Sequence, residues 1–324
     1  MSILVTGGAG YIGSHTVYAL IEGGAEDVIV LDNFSLGHRA ALHPKAKCYE
    51  GDIRDRAFLD ALFQKENIQG VIHFAANSQV GESMKDPLKY YENNLGGTMT
   101  LLQAMVAAGV ENIVFSSTAA VYGEPENIPI REDAPTKPTN TYGETKLAIE
   151  RMMGWVSSAT KLRYVALRYF NASGAHPSAQ IGEAHDPETH LVPIILQVAN
   201  GKRAHISVFG DDYPTRDGSC VRDYIHVMDL AEAHILALAH LQNGGENAVF
   251  NLGNGVGFTV YEVIDMARQV TGHAIPAETA PRRPGDPAQL VASAEKAREQ
   301  LGWNPQCSDL ETIVKSAWAW HREG

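Results

Sequence analysis

The chain has 324 residues, of which 44% are hydrophobic and 20% charged, so it can bury the cores of about two domains. Its 26 lysines and arginines against 38 aspartates and glutamates give a formal net charge of −12, which argues against a general affinity for nucleic acid or anionic membranes. The chain reaches its first predicted strand directly after Met1 and has no apolar run of about 18 residues, so we expect a soluble cytoplasmic protein.

The first half of the chain alternates short apolar runs with helical segments. The predicted strands are Ile3–Thr6, Asp27–Leu31, Ala46–Glu50, Gly70–Phe74, Asn112–Ser116 and Lys161–Tyr169. The predicted helices end near Glu22, cover Ala57–Gln64, extend from Pro87 to about Ala108, and begin near Tyr142 after the capping residues Asn140 and Thr141. The Pro-rich segment Glu124–Pro138 is predicted to be a loop. This alternation predicts an α/β fold with a Rossmann-type, doubly wound parallel sheet.

The regular alternation of strands and helices ends after the sixth predicted strand, where the predicted elements become shorter and mixed. Asn171–Glu188 is rich in Gly, Ala, His and Pro and is predicted to be a long functional loop. The later predictions are strands at His205–Phe209 and Val249–Leu252 and helices at Val227–His240, Val260–Gln269 and Leu310–His321. We therefore predict a Rossmann domain over residues 1–170 and a smaller mixed α/β domain over residues 171–324, some segments of which return to the first domain.

Cysteines and histidines give no sign of a metal site. Cys48, Cys220 and Cys307 are scattered and form no CxxC pattern or Cys/His cluster with zinc-ligand spacing. The 13 histidines include no HExxH or similar helical pair. We therefore expect free thiols in a reducing cytoplasm and no bound metal.

A glycine-rich turn follows the first strand at once. Gly7–Gly13 has the pattern GxxGxxG and opens the first helix, where glycines let a pyrophosphate approach the backbone and the helix N-terminus. Asp32 ends the second strand, where an acid accepts hydrogen bonds from ribose hydroxyls and repels a 2′-phosphate. The pattern favours NAD over NADP. A simple tight turn at the glycines and a turn-forming pair of Asp32 with Asn33 are the alternatives.

A tyrosine and a lysine, Tyr142 and Lys146, form the pattern YxxxK on a predicted helix. Residues four apart share a helix face, so the phenol and the ammonium can point into one cleft. A phenol with a pKa of about 10 needs a shift of about three units, roughly 4 kcal/mol, to act as a base near pH 7. A lysine cation and a positive nicotinamide ring both favour phenolate. Thr118, at the end of the fifth strand, can hydrogen-bond the phenol or the substrate oxygen, or merely satisfy the backbone.

Longer motifs carry a family resemblance from Ser2 to about Trp320. The GGAGYIG turn, the candidate triad and RYFN at Arg168–Asn171 resemble the extended short-chain dehydrogenase/reductases. DGSCVRDYIHVMDLA at Asp217–Ala231 and APRRPGD at Ala280–Asp286 are similar to the UDP-glucose/UDP-galactose 4-epimerases among them. The resemblance implies an isomerase with tightly bound NAD. In that mechanism Tyr142 removes the C4 hydroxyl proton, a hydride leaves C4, the 4-keto sugar turns over, and the hydride returns to its opposite face.

The resemblance also implies binding residues by position. Implied NAD contacts are Gly7, Gly10, Tyr11, Ile12, Gly13, Asp32, Asn33, Asp52, Ile53, Phe74, Ala75, Ala76, Asn93, Thr118, Tyr142, Lys146 and Phe170. Implied UDP-sugar contacts are Thr118, Tyr142, Asn171, Leu191, Ser207, Phe209, Arg222, Arg283, Asp286 and Leu290. NAD then belongs to residues 1–170 and the UDP-sugar mainly to residues 171–324. A homodimer is implied as well, through an intersubunit bundle of the helices around Leu88–Ala108 and Tyr142–Ser157.

Three positions depart from the family pattern. Thr118 replaces the commoner Ser, Ser78 stands where some relatives have Lys, and Leu290 is intermediate between the bulky and small residues found there, so UDP-GlcNAc and UDP-GalNAc are further candidate substrates.

Rival functions on this fold are a nucleotide-sugar dehydratase or decarboxylase, a dehydrogenase that exchanges NAD with solution, and a redox-sensing protein without catalysis. Dehydratases and decarboxylases of this fold generally carry an acid after the catalytic Ser or Thr, whereas Ala119 and Ala120 cannot protonate a leaving group. A dehydrogenase function would not explain the motifs that contain Arg222 and Arg283. Redox sensors of this fold often lack the Tyr or the Lys, whereas this chain has both. The sequence therefore favours the epimerase.

Overall fold

A seven-stranded parallel sheet organises the computed structural model, which describes residues 2–283 and 286–323. The strands in chain order are β1 (Ser2–Thr6), β2 (Asp27–Asp32), β3 (Lys47–Glu50), β4 (Ile68–His73), β5 (Asn112–Ser116), β6 (Arg163–Arg168), β7 (Asn171–Ser173), β8 (Ile206–Phe209), β9 (Val221–Arg222), β10 (Tyr224–His226), β11 (Ala248–Asn251), β12 (Phe258–Thr259), β13 (Ala277–Ala280) and β14 (Gln289–Leu290). The large sheet has the order β11-β6-β5-β4-β1-β2-β3, so its direction of winding reverses between β1 and β4. That order contains the 3-2-1-4-5-6 arrangement of a Rossmann-type sheet, and the predicted fold class is confirmed.

Helices cover both faces of this sheet. In chain order they are α1 (Tyr11–Glu22), α2 (Arg56–Lys65), α3 (Val80–Ser83), α4 (Pro87–Tyr90), α5 (Gly97–Ala108), α6 (Thr141–Ala159), α7 (Leu191–Ala199), α8 (Val227–Gln242), α9 (Val260–Thr271), α10 (Glu295–Leu301) and α11 (Leu310–Glu323). Ile3 and Val5 of β1 pack with α1 and α8, while Leu4 between them packs with α2, α5 and α6. Successive side chains of a strand point to opposite faces, which explains the continuous apolar run of β1. Within the described residues, no helix combines the length and the apolar character needed to cross a membrane.

The second half of the chain contributes both to the large sheet and to a core of its own. β11 pairs in parallel with β6, with Ala248 opposite Val165, and α8 covers the same face as α1. A separate core lies among α7, α9 and α11, where Ile195, Ile264 and Ile313 are fully buried. Two smaller sheets join β10 to β7 and β13 to β8. In a third, β9 lies between β12 and β14 and pairs with both.

The boundaries of the predicted strands and helices agree with the structure to within two residues at each end, with three differences. The predicted helix from Pro87 to Ala108 is interrupted by a π-helical turn at Tyr91–Gly96, which joins α4 to α5. The predicted loop Asn171–Glu188 is wrong over its first three residues, because they form β7 against β10. Several elements were not predicted, namely the helices α3, α7 and α10 and the strands β9, β10, β12, β13 and β14. The two-residue strands among them are defined by pairing with distant segments and show no local periodicity.

Candidate functional site

The glycine loop lies where the winding of the sheet reverses. Gly7 has a φ of +71°, and a Cβ there would lie 2.6 Å from the backbone nitrogen of Ala75, at the end of β4. A Cβ on Gly13 would lie 2.1 Å from the carbonyl oxygen of Gly7. Gly10 is the N-cap of α1, and it has no side chain that could cap the first amides of this helix. The loop therefore offers bare backbone and a positive helix end to an anion, which fits a dinucleotide pyrophosphate.

The Asp32 carboxylate, at the end of β2, braces this loop. One oxygen accepts a hydrogen bond from the backbone nitrogen of Ala9 at 2.9 Å, and the other accepts from that of Phe34 at 2.8 Å. The turn-forming role weighed for Asp32 is therefore real. Each carboxylate oxygen has a second lone pair, so the same group can also accept from a ribose hydroxyl.

Asn33 and Asp52 meet beside Asp32, at the ends of β2 and β3. The Asn33 amide donates to the Asp52 carboxylate at 3.0 Å. Hydrogen bonds from the Arg54 guanidinium hold the pKa of Asp52 well below its usual range. Ile53 is buried against α5, where a Cβ on Gly97 would lie 2.7 Å from its Cδ1. These residues form a polar rim with an apolar base at the adenine end expected from the sequence.

The end of β4 lies on the other side of the glycine loop from the end of β2. The backbone nitrogens of Phe74 and Ala75 both donate to the carbonyl of Thr6, at 2.9 and 3.1 Å, and the half-buried Ala76 follows them. Asn93 lies in the π-helical turn, where its amide donates to Asn94 at 3.0 Å. π-Helical turns are frequent at functional sites, because the extra residue redirects neighbouring side chains.

Tyr142 and Lys146 lie one turn apart at the start of α6, as predicted. Asn140 caps this helix by accepting from the backbone nitrogen of Gly143 at 2.8 Å. The Thr118 hydroxyl accepts from the backbone nitrogen of Ala120 at 3.1 Å and also hydrogen-bonds the Tyr142 phenol. The backbone role and the phenol role predicted for Thr118 thus coexist, and the structure brings all three candidate catalytic residues together.

The charges around the phenol differ from the sequence prediction. Burial raises the pKa of Tyr142 to about 12, while the hydrogen bond with Thr118 lowers it. Burial lowers the pKa of Lys146 to about 7, against the opposing charge of Glu150. The Lys146 ammonium donates to the carbonyl of Ser116 at 2.9 Å and lies 5.8 Å from the centroid of the Tyr142 ring. Burial therefore dominates the pKa of the phenol in the protein alone, and the lowering predicted from Lys146 together with a nicotinamide ring stays a prediction.

A buried hydrogen-bond network behind the triad was missed by the sequence analysis. One Glu150 oxygen accepts from Ser117 at 2.5 Å and from Arg168 at 3.0 Å, and the other accepts from Arg168 at 2.5 Å. Arg168 also donates to the Tyr122 hydroxyl at 2.8 Å. The sequence spacing could have indicated part of this network, because Glu150 follows Lys146 by four residues and so lies on the same face of α6. This network ties α6 to β5 and β6.

A second buried acid, Asp223, organises the substrate side. Its side chain accepts from the backbone nitrogens of Asn254 at 2.9 Å and Ala292 at 3.1 Å, and its carbonyl accepts from the Asn171 amide at 2.9 Å. The backbone nitrogen of Asp223 donates to the carbonyl of Leu290 at 3.0 Å. Asp223 lies inside the VRDYIHV motif beside Arg222, and its role was not predicted from the sequence.

Leu290 connects the two sides of the site. It packs with Phe170 against the apolar cluster formed around the turn after Thr118. In the β9–β14 pair it lies opposite Arg222. Leu290 therefore lies between the apolar cluster that follows Thr118 and the strand that carries Arg222, at the carboxyl edge of the sheet where ligands of such folds bind.

The arginines predicted to bind a diphosphate have partners within the protein. Arg222 forms a half-buried ion pair with Asp286, and it also donates to the carbonyl of Val221 at 2.7 Å. The Arg283 guanidinium lies 4.0 Å from the centroid of the Phe209 ring. Of the APRRPGD motif, Pro284 and Gly285 lie outside the described residues.

The remaining predicted substrate contacts lie beside the separate core of α7, α9 and α11, to which β8 contributes Ile206 and Val208. Ser207 and Phe209 lie two apart on β8 and so share one face of that strand. Leu191 begins α7 and packs against the same core.

Tyr11 and Ile12, two of the predicted NAD contacts, are half-buried at the start of α1, and the Tyr11 hydroxyl donates to the carbonyl of Gly174 at 2.6 Å. The glycine loop thereby touches the segment that leads into the second half of the chain.

Comparisons with known proteins place this geometry among characterised enzymes. Residues 3–253 match the model of the NAD dependent epimerase/dehydratase family. A UDP-glucose 4-epimerase from Halalkalibacterium halodurans is 63% identical over 323 residues, which cover 100% of this chain and 96% of that protein. A crystal structure of a UDP-glucose 4-epimerase superposes with a TM-score of 0.98 at 57% identity, covering 100% of this chain and 98% of the other. The Bifidobacterium longum UDP-glucose 4-epimerase in complex with NAD+ and UDP superposes with a TM-score of 0.93 at 41% identity, covering 100% and 98%.

Proposed function

The chain belongs to the NAD dependent epimerase/dehydratase family, and we propose that it is a UDP-glucose 4-epimerase, an isomerase that interconverts UDP-galactose and UDP-glucose. One observation carries this proposal. The triad of Thr118, Tyr142 and Lys146 lies at the same edge of the sheet as a glycine loop shaped for a dinucleotide. Leu290 packs against the apolar cluster that follows Thr118 and is paired in the β9–β14 sheet with Arg222, which forms the ion pair with Asp286.

NAD is the cofactor that this proposal requires. Side chains at Gly7 or Gly13 would collide with backbone, and the Asp32 carboxylate disfavours a 2′-phosphate beside it. Further support comes from the solved relatives with NAD bound, among them the Brucella ovis enzyme. When bound, oxidised NAD supplies the acceptor, and later the donor, of the hydride at the sugar C4.

Tyr142 moves the proton in this mechanism. Its phenolate accepts the proton of the C4 hydroxyl, and the phenol returns it to O4 after the keto sugar has turned. Thr118 holds the phenol by a hydrogen bond and so orients it toward the sugar oxygen. Since burial raises the pKa of Tyr142 to about 12, the phenol needs a positive charge beside it to act near neutral pH. The oxidised form of the cofactor carries such a charge.

The second half of the chain anchors the nucleotide. Arg222 and Arg283 are proposed to bind the diphosphate with Asn171, since guanidinium groups make bidentate contacts to phosphate. Asp286 is proposed to hold the uridine ribose. Contacts with the uracil are proposed for Leu191, Ser207 and Phe209. Because this anchor holds only the nucleotide, the sugar is free to present either face to the cofactor.

A dehydratase or decarboxylase is disfavoured by the turn after Thr118. Ala119 is buried, and its backbone nitrogen donates to the carbonyl of Tyr169 at 2.9 Å. Ala120 packs closely against the start of α6, where a Cβ on Gly143 would lie 2.7 Å from its carbonyl oxygen. Neither residue can deliver a proton to a leaving hydroxyl.

We also propose the division of labour expected from the sequence, with NAD bound by residues 1–170 and the UDP-sugar mainly by residues 171–324. The location of the glycine loop and of the Arg222 pair supports this division, and β11 and α8 return to the large sheet. A reducing, cytoplasmic location is proposed from the three free cysteines.

A homodimer is supported by exposed apolar side chains on α4, α5 and α6. Leu88 is 77% exposed and Trp155 is 79% exposed, and Met99 and Val106 are also exposed on the same helices. Light scattering after gel filtration tests this proposal: the wild-type chain should elute at twice the mass of the Trp155→Glu variant. A monomeric wild-type chain would overturn it.

Product analysis tests the function itself. Purified protein should release NAD on denaturation and should convert UDP-galactose to UDP-glucose without added reductant, as resolved by NMR. Incubation with UDP-GalNAc in parallel measures how much room Leu290 leaves for an N-acetyl group. A preparation that turns over only with added NADH, or that forms no UDP-glucose, would contradict the proposal.

A further inference from the structure

Four side chains between β7 and α7 converge on one point. They are Glu183, His185, Glu188 and His190, called here the His–Glu cluster, and one potential ligand atom from each lies within 4.8 Å of the other three. Nδ1 of His185 lies 3.1 Å from Glu183 and 3.8 Å from Glu188. Nδ1 of His190 lies 2.7 Å from Glu183 and 3.2 Å from Glu188.

The facing atoms are close together but do not satisfy one another. Glu183 is only 4% exposed, and its Oε1 has no hydrogen-bond partner. The Nδ1 atoms of His185 and His190 are buried and also lack hydrogen bonds. An ion-pair cluster would aim each imidazole N–H at a carboxylate oxygen. The close approaches between imidazole nitrogen and carboxylate oxygen are therefore not well-aligned hydrogen bonds, and an unsatisfied buried polar atom is costly.

The separations suit a tetrahedral ion. Zinc binds His nitrogen and carboxylate oxygen at about 2.0–2.2 Å, which places neighbouring ligand atoms about 3.3–3.6 Å apart. Three of the four His-to-Glu separations, at 2.7, 3.1 and 3.2 Å, are shorter than that range and the fourth, at 3.8 Å, is longer, so shifts of about half an ångström bring the ligands to it. Two carboxylates and two neutral imidazoles balance a charge of +2, and four protein ligands leave no open position for chemistry.

We propose that the His–Glu cluster is a structural binding site for one divalent cation of the zinc type. This revises the sequence prediction of no metal site. That prediction searched for helical pairs such as HExxH, whereas these ligands follow the pattern ExHxxExH in an irregular segment.

The site would brace the segment that joins the two ligand-binding halves. The His185 ring meets the edge of Tyr11 in the glycine loop, with ring centroids 6.2 Å apart. His190 is the N-cap of α7, directly before Leu191. The carbonyl of Glu183 accepts from the indole of Trp320 at 3.2 Å. A cation at this point would fix the geometry between the proposed NAD and uridine pockets.

Metal titration of the full-length, untagged chain tests the proposal. Protein treated with a chelator and dialysed should bind one Zn²⁺ per chain in calorimetry, and its melting temperature should rise. Co²⁺ in place of Zn²⁺ should give the visible absorption bands of a four-coordinate ion. His190→Ala should weaken Zn²⁺ binding by more than about 100-fold, since loss of a residue that merely supports a ligand already costs 10–100-fold.

A matched control is His205→Ala, which removes an exposed imidazole 3.5 Å from Glu278 and should leave Zn²⁺ binding unchanged. Glu188→Gln keeps the shape of the side chain and serves if His190→Ala does not fold, as judged by circular dichroism. The proposal fails if the wild-type chain binds no Zn²⁺ in excess metal, or if His190→Ala or Glu188→Gln binds it as tightly. Metal binding is measured independently of epimerase activity, so either proposal can fail alone.

Discussion

The triad and the arginine pocket, a name used here for Arg222, Asp286 and Arg283, hold their side chains in opposite ways. Tyr142 and Lys146 lie above the buried Glu150–Arg168 network, in which both partners are at most 7% exposed. Arg222 and Asp286 are half-buried and pair with each other, while Arg283 lies over Phe209. The triad is held by contacts that the reaction does not need to break. The arginine pocket is held by contacts that a bound nucleotide diphosphate must replace.

This difference fits the two tasks that the reaction sets. Proton transfer needs atoms held in place before the substrate arrives, because misplacement of reacting groups lowers the rate steeply. A binding pocket can satisfy its charges internally until the ligand displaces them, since an unpaired half-buried arginine would be costly. Changes in the triad region should therefore act on kcat or on stability, and changes in the arginine pocket should act on KM.

The largest expected effect is that of Tyr142→Phe. Removing the phenol oxygen removes the proposed base, and general acid–base catalysis contributes about 10²–10⁴-fold. We expect kcat for UDP-galactose to fall by about 10³-fold or more, with NAD content and melting temperature unchanged. Steady-state kinetics and absorbance of the released cofactor check this. A variant that keeps a tenth of the wild-type kcat would remove Tyr142 from the role of base.

Glu150→Gln tests whether the network behind the triad is structural. Breaking a buried ion pair leaves Arg168 uncompensated, which typically costs about 3–5 kcal/mol of the free energy of unfolding. Urea denaturation measures this loss. The matched control is Glu295→Gln, whose pair with Arg131 is exposed and is worth at most about 1 kcal/mol. Equal losses for the two variants would mean that the network does not hold the triad.

Local and medium-range signals explain how much of this molecule could be predicted from its sequence. The six strands of the first half and the glycine loop follow from apolar runs and turn residues, and Tyr142 and Lys146 follow from helical spacing. Asp223 could not be found in this way, because its partners Asn254 and Ala292 are 31 and 69 residues away. Such contacts exist only after the chain has folded.

The pKa of Tyr142 shows a different limit. The sequence places a lysine one turn away but gives neither the direction of its ammonium nor the depth of the phenol. The structure aims Lys146 at the carbonyl of Ser116, and burial then dominates the phenol. The His–Glu cluster was missed for a related reason, since its irregular backbone gives no periodic pattern to read.

Arg222→Ala tests the arginine pocket. A hydrogen bond to a charged group contributes about 1.5–3 kcal/mol, so we expect KM for UDP-galactose to rise by about 10–150-fold with a smaller change in kcat. Arg282→Ala is the matched control. Its exposed guanidinium lies in the APRRPGD motif that supplies Asp286 and donates to Asp212 at 2.6 Å, and its loss should change KM by less than about twofold. A selective fall in kcat for Arg222→Ala would contradict the contrast between the regions.

The smallest effect concerns Asp223, where the two regions meet. Burial raises its pKa to about 6, against hydrogen bonds from backbone nitrogens that lower it. Between the ordinary pKa of about 3.9 and pH 6, the folded chain therefore holds a proton that the unfolded chain has released. Stability from this group is fully present below the unfolded pKa and is lost as the pH rises through 6. We expect the free energy of unfolding to fall over this window by at most about 3 kcal/mol relative to Asp223→Asn, since a shift of one pKa unit corresponds to about 1.4 kcal/mol.

Urea denaturation at several pH values between 4 and 7 measures this difference. Asp265→Asn, which alters an exposed pair with Arg268, should parallel the wild-type chain throughout. An Asp223→Asn curve that also runs parallel would show that the carboxyl is solvated in the folded protein. The triad and the arginine pocket would then be joined by a flexible connection, and the sharp contrast between a fixed and an exchangeable region would not hold at their border.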